Sequence, residues 1–305
     1  MTKINIVFFG TDRFASIILE ALLESSNINI DLVITQPDRR AGRKGKLQPS
    51  IVKILAEKNN LKLNQPENLS DYVLSKSDLN IVVDYGIIVP KKIIESPKYG
   101  SINIHPSFLP KYRGPSPIQT ALLNGDEKSG ITIMKMDEKM DHGPIIAQES
   151  IFIDPDDSYA ILSNKMAIRA SKLLLKVLPG YISGQIKPAE QGHDKSSACK
   201  LISREDGWVD FNKTATQIYN QFRALTPWPG VWTKLGGKRI KFLELKPSDK
   251  ENKLGEIIFL ENKLYIGCSS GSIEVCKLQL EGKKPIQSEA FINGYKNYNN
   301  KKIDV

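Results

Sequence analysis

From Ile4 to Ile153, short apolar runs of strand character alternate with stretches whose apolar residues recur at helical spacing. No other feature restricts the fold as much. The run "INIVFFG" ends at Gly10, and "TDRFASIILEALLESS" then sets Phe14, Ile17, Ile18, Ala21 and Leu22 on one helical face, with Thr11 or Asp12 placed to cap it. "IDLVITQPD" reads as a second strand and "SIVKILAEKNN" as a second amphipathic helix. "LNIVVDYGIIVP" and "GSINIHP" read as buried strands, "SPIQTALLNG" as a helix stopped by Gly125, and "GITIMKMD" and "IIAQESIFI" as further strands. A longer helix, "SYAILSNKMAIRASKLLLKVLPGYISG", ends near Pro179. Apolar strands joined by helices have to be covered on both faces, so the pattern predicts an α/β, Rossmann-like, mostly parallel sheet. After the first strand stands "GTDRFA", with one glycine. A dinucleotide fingerprint needs three, so that the backbone can approach the pyrophosphate, and its absence argues against NAD.

Past Gly180 the texture changes. "QIKPAEQGHDKSSACKLISREDG" is polar and lacks periodicity, which reads as a linker. We therefore divide the chain into 1–183, a linker at 184–203, and 204–305. The last part opens with a short helix, Thr216 to Arg223, stopped by Pro227 and Pro229. It continues as "RIKFLEL", "GEIIFL", "KLYIGCS" and "GSIEVCKLQL", short alternating strands that predict a small OB-like β-barrel. Trp228 and Trp232 read as barrel core or interface aromatics, and the polar tail "NGYKNYNNKKIDV" as frayed.

Three cysteines without paired spacing argue against a disulfide scaffold or a zinc site, and no metal-ligand cluster stands elsewhere. The first apolar run is too short for a signal peptide, and none reaches membrane-spanning length. The expectation is a monomeric cytoplasmic protein without a membrane partner. A net charge of +9 permits a polyanionic partner. Residues 204–305 hold 17 Lys and Arg against 12 Asp and Glu. Arg39, Arg40, Arg43, Lys44 and Lys46 crowd one loop with Gly42 and Gly45, a composition suited to phosphate contact.

In "SINIHPSFLPKYRGPSPIQ", strand alternation puts Asn103 and His105 on one face at the carboxyl end of a strand, the edge where open α/β sheets bind ligands. An amide beside an imidazole can stabilise an oxyanion. "MDEKMDHGPIIAQ" adds Asp137, Asp141 and His142 in a loop between strands, where Gly143-Pro144 turns Asp141 inward. A carboxylate there can orient an imidazole or relay a proton.

Together the two segments, Asn-x-His-x-Ser-x-Leu-Pro and then Asp-x-Gly, closely resemble the folate-dependent formyltransferases. The resemblance implies a catalytic trio of Asn103, His105 and Asp141, with Asp141 holding a protonated His105. It places Ser107, Phe108, Leu109 and Pro110 at the folate, and implies 10-formyltetrahydrofolate as formyl donor with no metal. "VITQPDRRAGRKGKLQPS", "PKYRGPSPIQTALLNGD" and "IYNQFRALTPWPGVWT" resemble the branch that formylates methionine on initiator tRNA. In that branch Arg39, Arg40, Arg43, Lys44 and Lys46 would meet the RNA. The glycinamide ribonucleotide formyltransferases share "GPIIAQ" and the Asn-x-His-Pro-Ser core, but normally lack the basic loop and the barrel. A 10-formyltetrahydrofolate hydrolase would also keep the trio. Pro106, Phe108, His142 and Asp84 depart from the usual pattern of the tRNA branch.

Overall fold

Ile6, Val7, Phe8 and Phe9 of the first strand, β1 (Ile4–Gly10), have no exposed surface, because the sheet is covered on both faces. Burying such side chains contributes about 1.5–3 kcal/mol each. The computed structural model describes residues 3–41, 45–74 and 76–304. Chain order continues with α1 (Arg13–Leu23), β2 (Ile28–Ile34), β3 (Arg39–Ala41), β4 (Lys46–Gln48), α2 (Ile51–Lys58) and β5 (Leu63–Asn64). Then come β6 (Leu79–Val83), α3 (Lys91–Ile94), β7 (Ser101–His105), α4 (Pro117–Asn124), β8 (Lys128–Lys135), β9 (Ile145–Phe152) and α5 (Tyr159–Ile182).

Seven of these strands form one sheet in the order β5-β2-β1-β6-β7-β8-β9. The pairs from β5 to β7 are parallel, and β8 and β9 join antiparallel at one side. The mostly parallel α/β sheet is therefore as predicted. The strand order reverses between β1 and β6, so their carboxyl ends open the crevice typical of this topology. Register sets Val83 beside Gly10 and Val82 beside Asn103, which brings the ends of β1, β6 and β7 to the same edge.

Several local details differ from the sequence reading. Asp12 occupies the N-cap position of α1, yet its side chain makes no capping bond, and Thr11 Oγ1 instead donates to the Tyr85 carbonyl at 3.0 Å. Helix α5 runs through Pro179 to Ile182. A proline this close to the end removes one intrahelical donor without stopping the last turn. On either side of residues 42–44, the described parts of the basic loop pair antiparallel, β3 against β4. Its base is tied down by Asp38, which accepts from Lys53 Nζ at 2.8 Å and from Gln65 Nε2 at 2.9 Å. The Gln65 and Lys53 hydrogen bonds hold the Asp38 carboxyl below its ordinary range.

The chain divides into two compact units. One comprises Met1–Pro117, Lys128–Ile153 and Ile161–Lys200; the other comprises Ile118–Glu127, Asp154–Ala160 and Leu201–Val305. The second contains α6 (Ala215–Leu225), β10 (Val231–Leu235), β11 (Lys238–Ser248), β12 (Ile257–Leu260), β13 (Lys263–Gly267), β14 (Ser272–Leu280), β15 (Ile286–Gln287) and α7 (Ser288–Gly294). Helix α6 begins with a capping box, Thr214 to Gln217. Arg223, only 6% exposed, explains why Asp154–Ala160 belongs here: its guanidinium donates to Asn220 Oδ1 and to the Asp154 and Asp157 carbonyls.

The antiparallel strands run β10-β11-β14-β13-β12, with β15 beside β14. The tail expected to fray is pinned instead. Ile257 N donates to the Lys301 carbonyl at 2.8 Å, and Asp304 N to the Lys234 carbonyl at 2.9 Å. The tail thus bridges both edge strands, β12 and β10, consistent with the small barrel predicted. It stays because backbone donors left open at a strand edge find partners there. Trp232 packs edge-on against Trp208 at 5.0 Å, whereas Trp228 is exposed, contrary to a core reading.

Candidate active site

The end of β7 carries Asn103 and His105 on one face of the sheet. The loop from β8 to β9 returns toward that strand and delivers Asp141, whose backbone takes a left-handed φ of 49°. Asp and Asn adopt this conformation at lower cost than other side-chain-bearing residues. The carboxylate accepts from the Gly114 backbone N–H at 2.7 Å through Oδ2, and from Asn103 Nδ2 at 3.3 Å through Oδ1. His105 Nδ1 lies 3.7 Å from the same Oδ1. His105 and Asp141 are both buried.

A second group, besides the Asp141 carboxylate, orients the histidine. His105 Nε2 stands 2.9 Å from the Tyr112 carbonyl. A carbonyl only accepts, so Nε2 carries the proton. Nδ1 is therefore the nitrogen left facing Asp141 and Asn103: a lone pair in the neutral ring, a donor in the imidazolium. Tyr112, itself at φ 61°, is held by its own N–H donating to Ser197 Oγ at 3.0 Å. Cys199 Sγ contacts the same Tyr112 carbonyl at 3.7 Å, and burial pushes the Cys199 thiol up, which keeps it a donor.

Gly114 has to be glycine. Its φ is +119°, and a Cβ would sit 2.5 Å from the Cys199 carbonyl oxygen. In this backbone conformation the Gly114 N–H meets the Asp141 carboxylate.

The stretch after β7 is fixed from beneath. Thr132 Oγ1 donates to the Ser107 carbonyl and accepts from Leu109 N, while Gln148 Nε2 donates to the Leu109 carbonyl at 2.8 Å. Ser107 and Leu109 are buried, and Ser107 Oγ donates to the Lys111 carbonyl. Of the four residues assigned to the folate, only Phe108, exposed, and Pro110, half-buried, offer side-chain surface to a ligand.

Asp137 and His142 pair with each other at 2.6 Å, and the His142 ring stacks on His193 at 4.1 Å. His142 is thus drawn away from the trio. At the end of β6, Asp84 has a left-handed φ of 45°. Desolvation, with the Asp12 carboxylate second, pushes its carboxyl up to about 6. The residue nonetheless presents surface to solvent.

Arg39, Arg40 and Lys46 are exposed on the β3–β4 hairpin, where Arg40 Nη1 donates to the Gly45 carbonyl at 3.1 Å. Arg43 and Lys44 lie outside the described residues. The hairpin follows the carboxyl end of β2. Just before it, Gln36 Nε2 donates to the Tyr85 carbonyl at 2.7 Å, tying its approach to the loop after β6. Among the described residues no group of three or more His, Cys, Asp or Glu could hold a metal ion, and no helix is long and apolar enough to cross a membrane.

The sequence reading did not single out Tyr112, Gly114 or Gln191. The first two act through the backbone. Gln191 sits in a polar stretch without periodicity, and no local signal marks it.

Residues 2–178 match the formyl transferase family, and residues 201–296 match the formyl transferase C-terminal domain. The chain is 41% identical over 304 residues to a methionyl-tRNA formyltransferase of Caldicellulosiruptor saccharolyticus, covering 96% of this chain and 97% of that one. It is 38% identical to the methionyl-tRNA formyltransferase of Mesoplasma florum, with 95% of each covered. Among solved structures, a sugar 3N-formyl transferase crystallised in the presence of dTDP and 5-N-formyl-THF superposes with a TM-score of 0.68 at 24% identity, over 93% of this chain and all of that one. HypX of Aquifex aeolicus in complex with tetrahydrofolic acid superposes with a TM-score of 0.61 at 17% identity, over 95% of this chain and 47% of that one.

Proposed function

The chain belongs to the formyl transferase family, and on that premise we propose that it moves the formyl group of 10-formyltetrahydrofolate onto the amino group of methionine carried by initiator tRNA. The observation that carries the reading is the meeting of Asn103, His105 and Asp141 around one carboxylate oxygen, with distances of 3.3 and 3.7 Å to it. Relatives of nearly the same length and at 38–41% identity support the choice of the tRNA-linked amine.

The amine attacks the formyl carbon. A new C–N bond forms, and the carbonyl oxygen gains charge. Asn103 Nδ2 and a protonated His105 Nδ1 are the donors that stabilise it. Tyr112 holds the other histidine nitrogen, so the ring is aimed before substrate arrives. Asp141 gathers the donors and, through water, passes the amine proton to N10 as the old C–N bond breaks. The folate fits a site with the exposed ring of Phe108 beside it. The basic loop with Arg39, Arg40, Arg43, Lys44 and Lys46, and the basic second unit, take the phosphates of the acceptor stem. The reaction belongs in the cytoplasm, where initiator tRNA is charged.

The test is incubation with 10-formyltetrahydrofolate, with and without charged initiator tRNA. Formylmethionyl-tRNA is the expected product. Formate release regardless of tRNA would make the protein a hydrolase, and turnover only with glycinamide ribonucleotide would make it a nucleotide enzyme.

A further inference from the structure

Asp141 owes its place to more than the groups its carboxylate touches. Its left-handed backbone stands in a loop whose next bend, at Gly143, packs a Cα against the Lys135 carbonyl. One buried amide reaches across to this loop. Gln191, 5% exposed, donates from Nε2 to the Asp141 carbonyl at 3.0 Å and to the Gly143 carbonyl at 2.8 Å. The same nitrogen lies 4.0 Å from Met134 Sδ, on the strand position opposite Asn103.

The other end of the amide is gripped as well. Gln191 Oε1 accepts from Arg113 Nε at 3.2 Å and from Arg113 Nη2 at 2.6 Å. Arg113 immediately precedes Gly114, whose N–H holds the Asp141 carboxylate. Gln191 thereby connects the backbone of Asp141 to the segment that holds its side chain. Its own segment is anchored on both sides. Ala189 and Ile145 exchange backbone hydrogen bonds at 2.8 and 2.7 Å, and Cys199 N donates to the Arg113 carbonyl at 2.7 Å.

We propose that Gln191 is a positioning residue for formyl transfer, locking Asp141 in the conformation that aims its carboxylate at Asn103 and Gly114. The proposal rests on reading Asp141 as a member of the reacting trio. Only a neutral amide fits the role, since it offers two N–H donors to two converging carbonyls and one oxygen to a guanidinium. A glutamate satisfies Arg113 but turns a bare oxygen toward both carbonyls.

The experiment compares Gln191→Ala, Gln191→Glu and Asp141→Asn for kcat, KM and pH profile of tRNA formylation, each normalised to the folded fraction by near-ultraviolet circular dichroism. Misplacing a reacting group by about 1 Å can cost about 10²-fold. Gln191→Ala and Gln191→Glu are expected to lose about that much in kcat, with KM for both substrates unchanged. As pH falls, Gln191→Glu regains kcat relative to Gln191→Ala, because the protonated carboxyl restores one donor. If Asp141→Asn is inactive while both Gln191 variants turn over normally per folded molecule, the positioning role is wrong and the reading of Asp141 stands. If Asp141→Asn itself turns over normally, the reading of Asp141 fails, and the role of Gln191 fails with it.

Discussion

Replacing Asp141 by Asn keeps the shape of the side chain and removes its charge, which isolates what the carboxylate contributes. Both of its oxygens now accept, one from the Gly114 N–H at 2.7 Å and one from Asn103 Nδ2 at 3.3 Å. A hydrogen bond to a charged group contributes about 1.5–3 kcal/mol and a neutral one about 0.5–1.5 kcal/mol. The short Gly114 bond should therefore lose about 1–1.5 kcal/mol, and the longer Asn103 bond less. At roughly 2–4 °C per kcal/mol for a chain somewhat smaller than this one, Tm falls by only a few degrees. Catalysis should suffer more. With its oxygen kept for Gly114, residue 141 turns an NH₂ toward Asn103, donor against donor. Asn103 must then present its own oxygen, and Nδ2 leaves the position where an oxyanion would meet it. Losing one such donor costs about 10²–10³ in kcat. Single-turnover formylation of charged initiator tRNA, alongside thermal unfolding, measures both effects. The loss should persist across neutral and alkaline pH, since an amide has nothing to titrate there. A variant that unfolds a few degrees early yet transfers formyl at the normal rate would refute the argument, leaving Asp141 a purely structural acceptor.

Asn103→Ala should lower kcat by about 2.7–4 kcal/mol of barrier with the fold intact, measured by the same assay; normal turnover would remove Asn103 from the mechanism. Gly114→Ala should cost about 1–3 kcal/mol in chemical denaturation, because alanine resists a φ of +119° and its Cβ meets the Cys199 carbonyl. The native Asp84 carboxyl, raised to about 6 from 3.8, binds its proton more tightly than in the unfolded chain, so stability falls as pH rises between those values. Asp84→Asn removes that penalty. Its Tm should exceed the parent's slightly at neutral pH and match it below the unfolded pKa, the gain being small because the residue meets solvent. The double variant Arg39→Ala, Lys46→Ala should raise KM for tRNA, with folate affinity unchanged. Its plot of log K against log salt should flatten by about 0.7–0.9 for each phosphate no longer neutralised.

The order of strands and helices was legible because apolar periodicity reports directly which faces of an element are buried. The runs "INIVFFG" and "LNIVV" are inner strands flanking the point where the strand order reverses, while "DYGIIVP", read as part of the latter strand, leaves the sheet at the left-handed Asp84. The two-residue alternation likewise puts Asn103 and His105 on one face without any knowledge of the fold. What tertiary structure decided is how that face is completed. The partner of His105 is the backbone carbonyl of Tyr112, a group every residue possesses, so nothing in the side-chain pattern marks it. Gln191 meets Asp141 across 50 positions from a polar stretch with no period to read. The polar tail is held by backbone bonds to β10 and β12, whose open edges exist only once the sheet has formed. Apolar spacing is a local property of the chain, whereas a hydrogen bond between distant loops depends on where the folded sheet has already carried both of them.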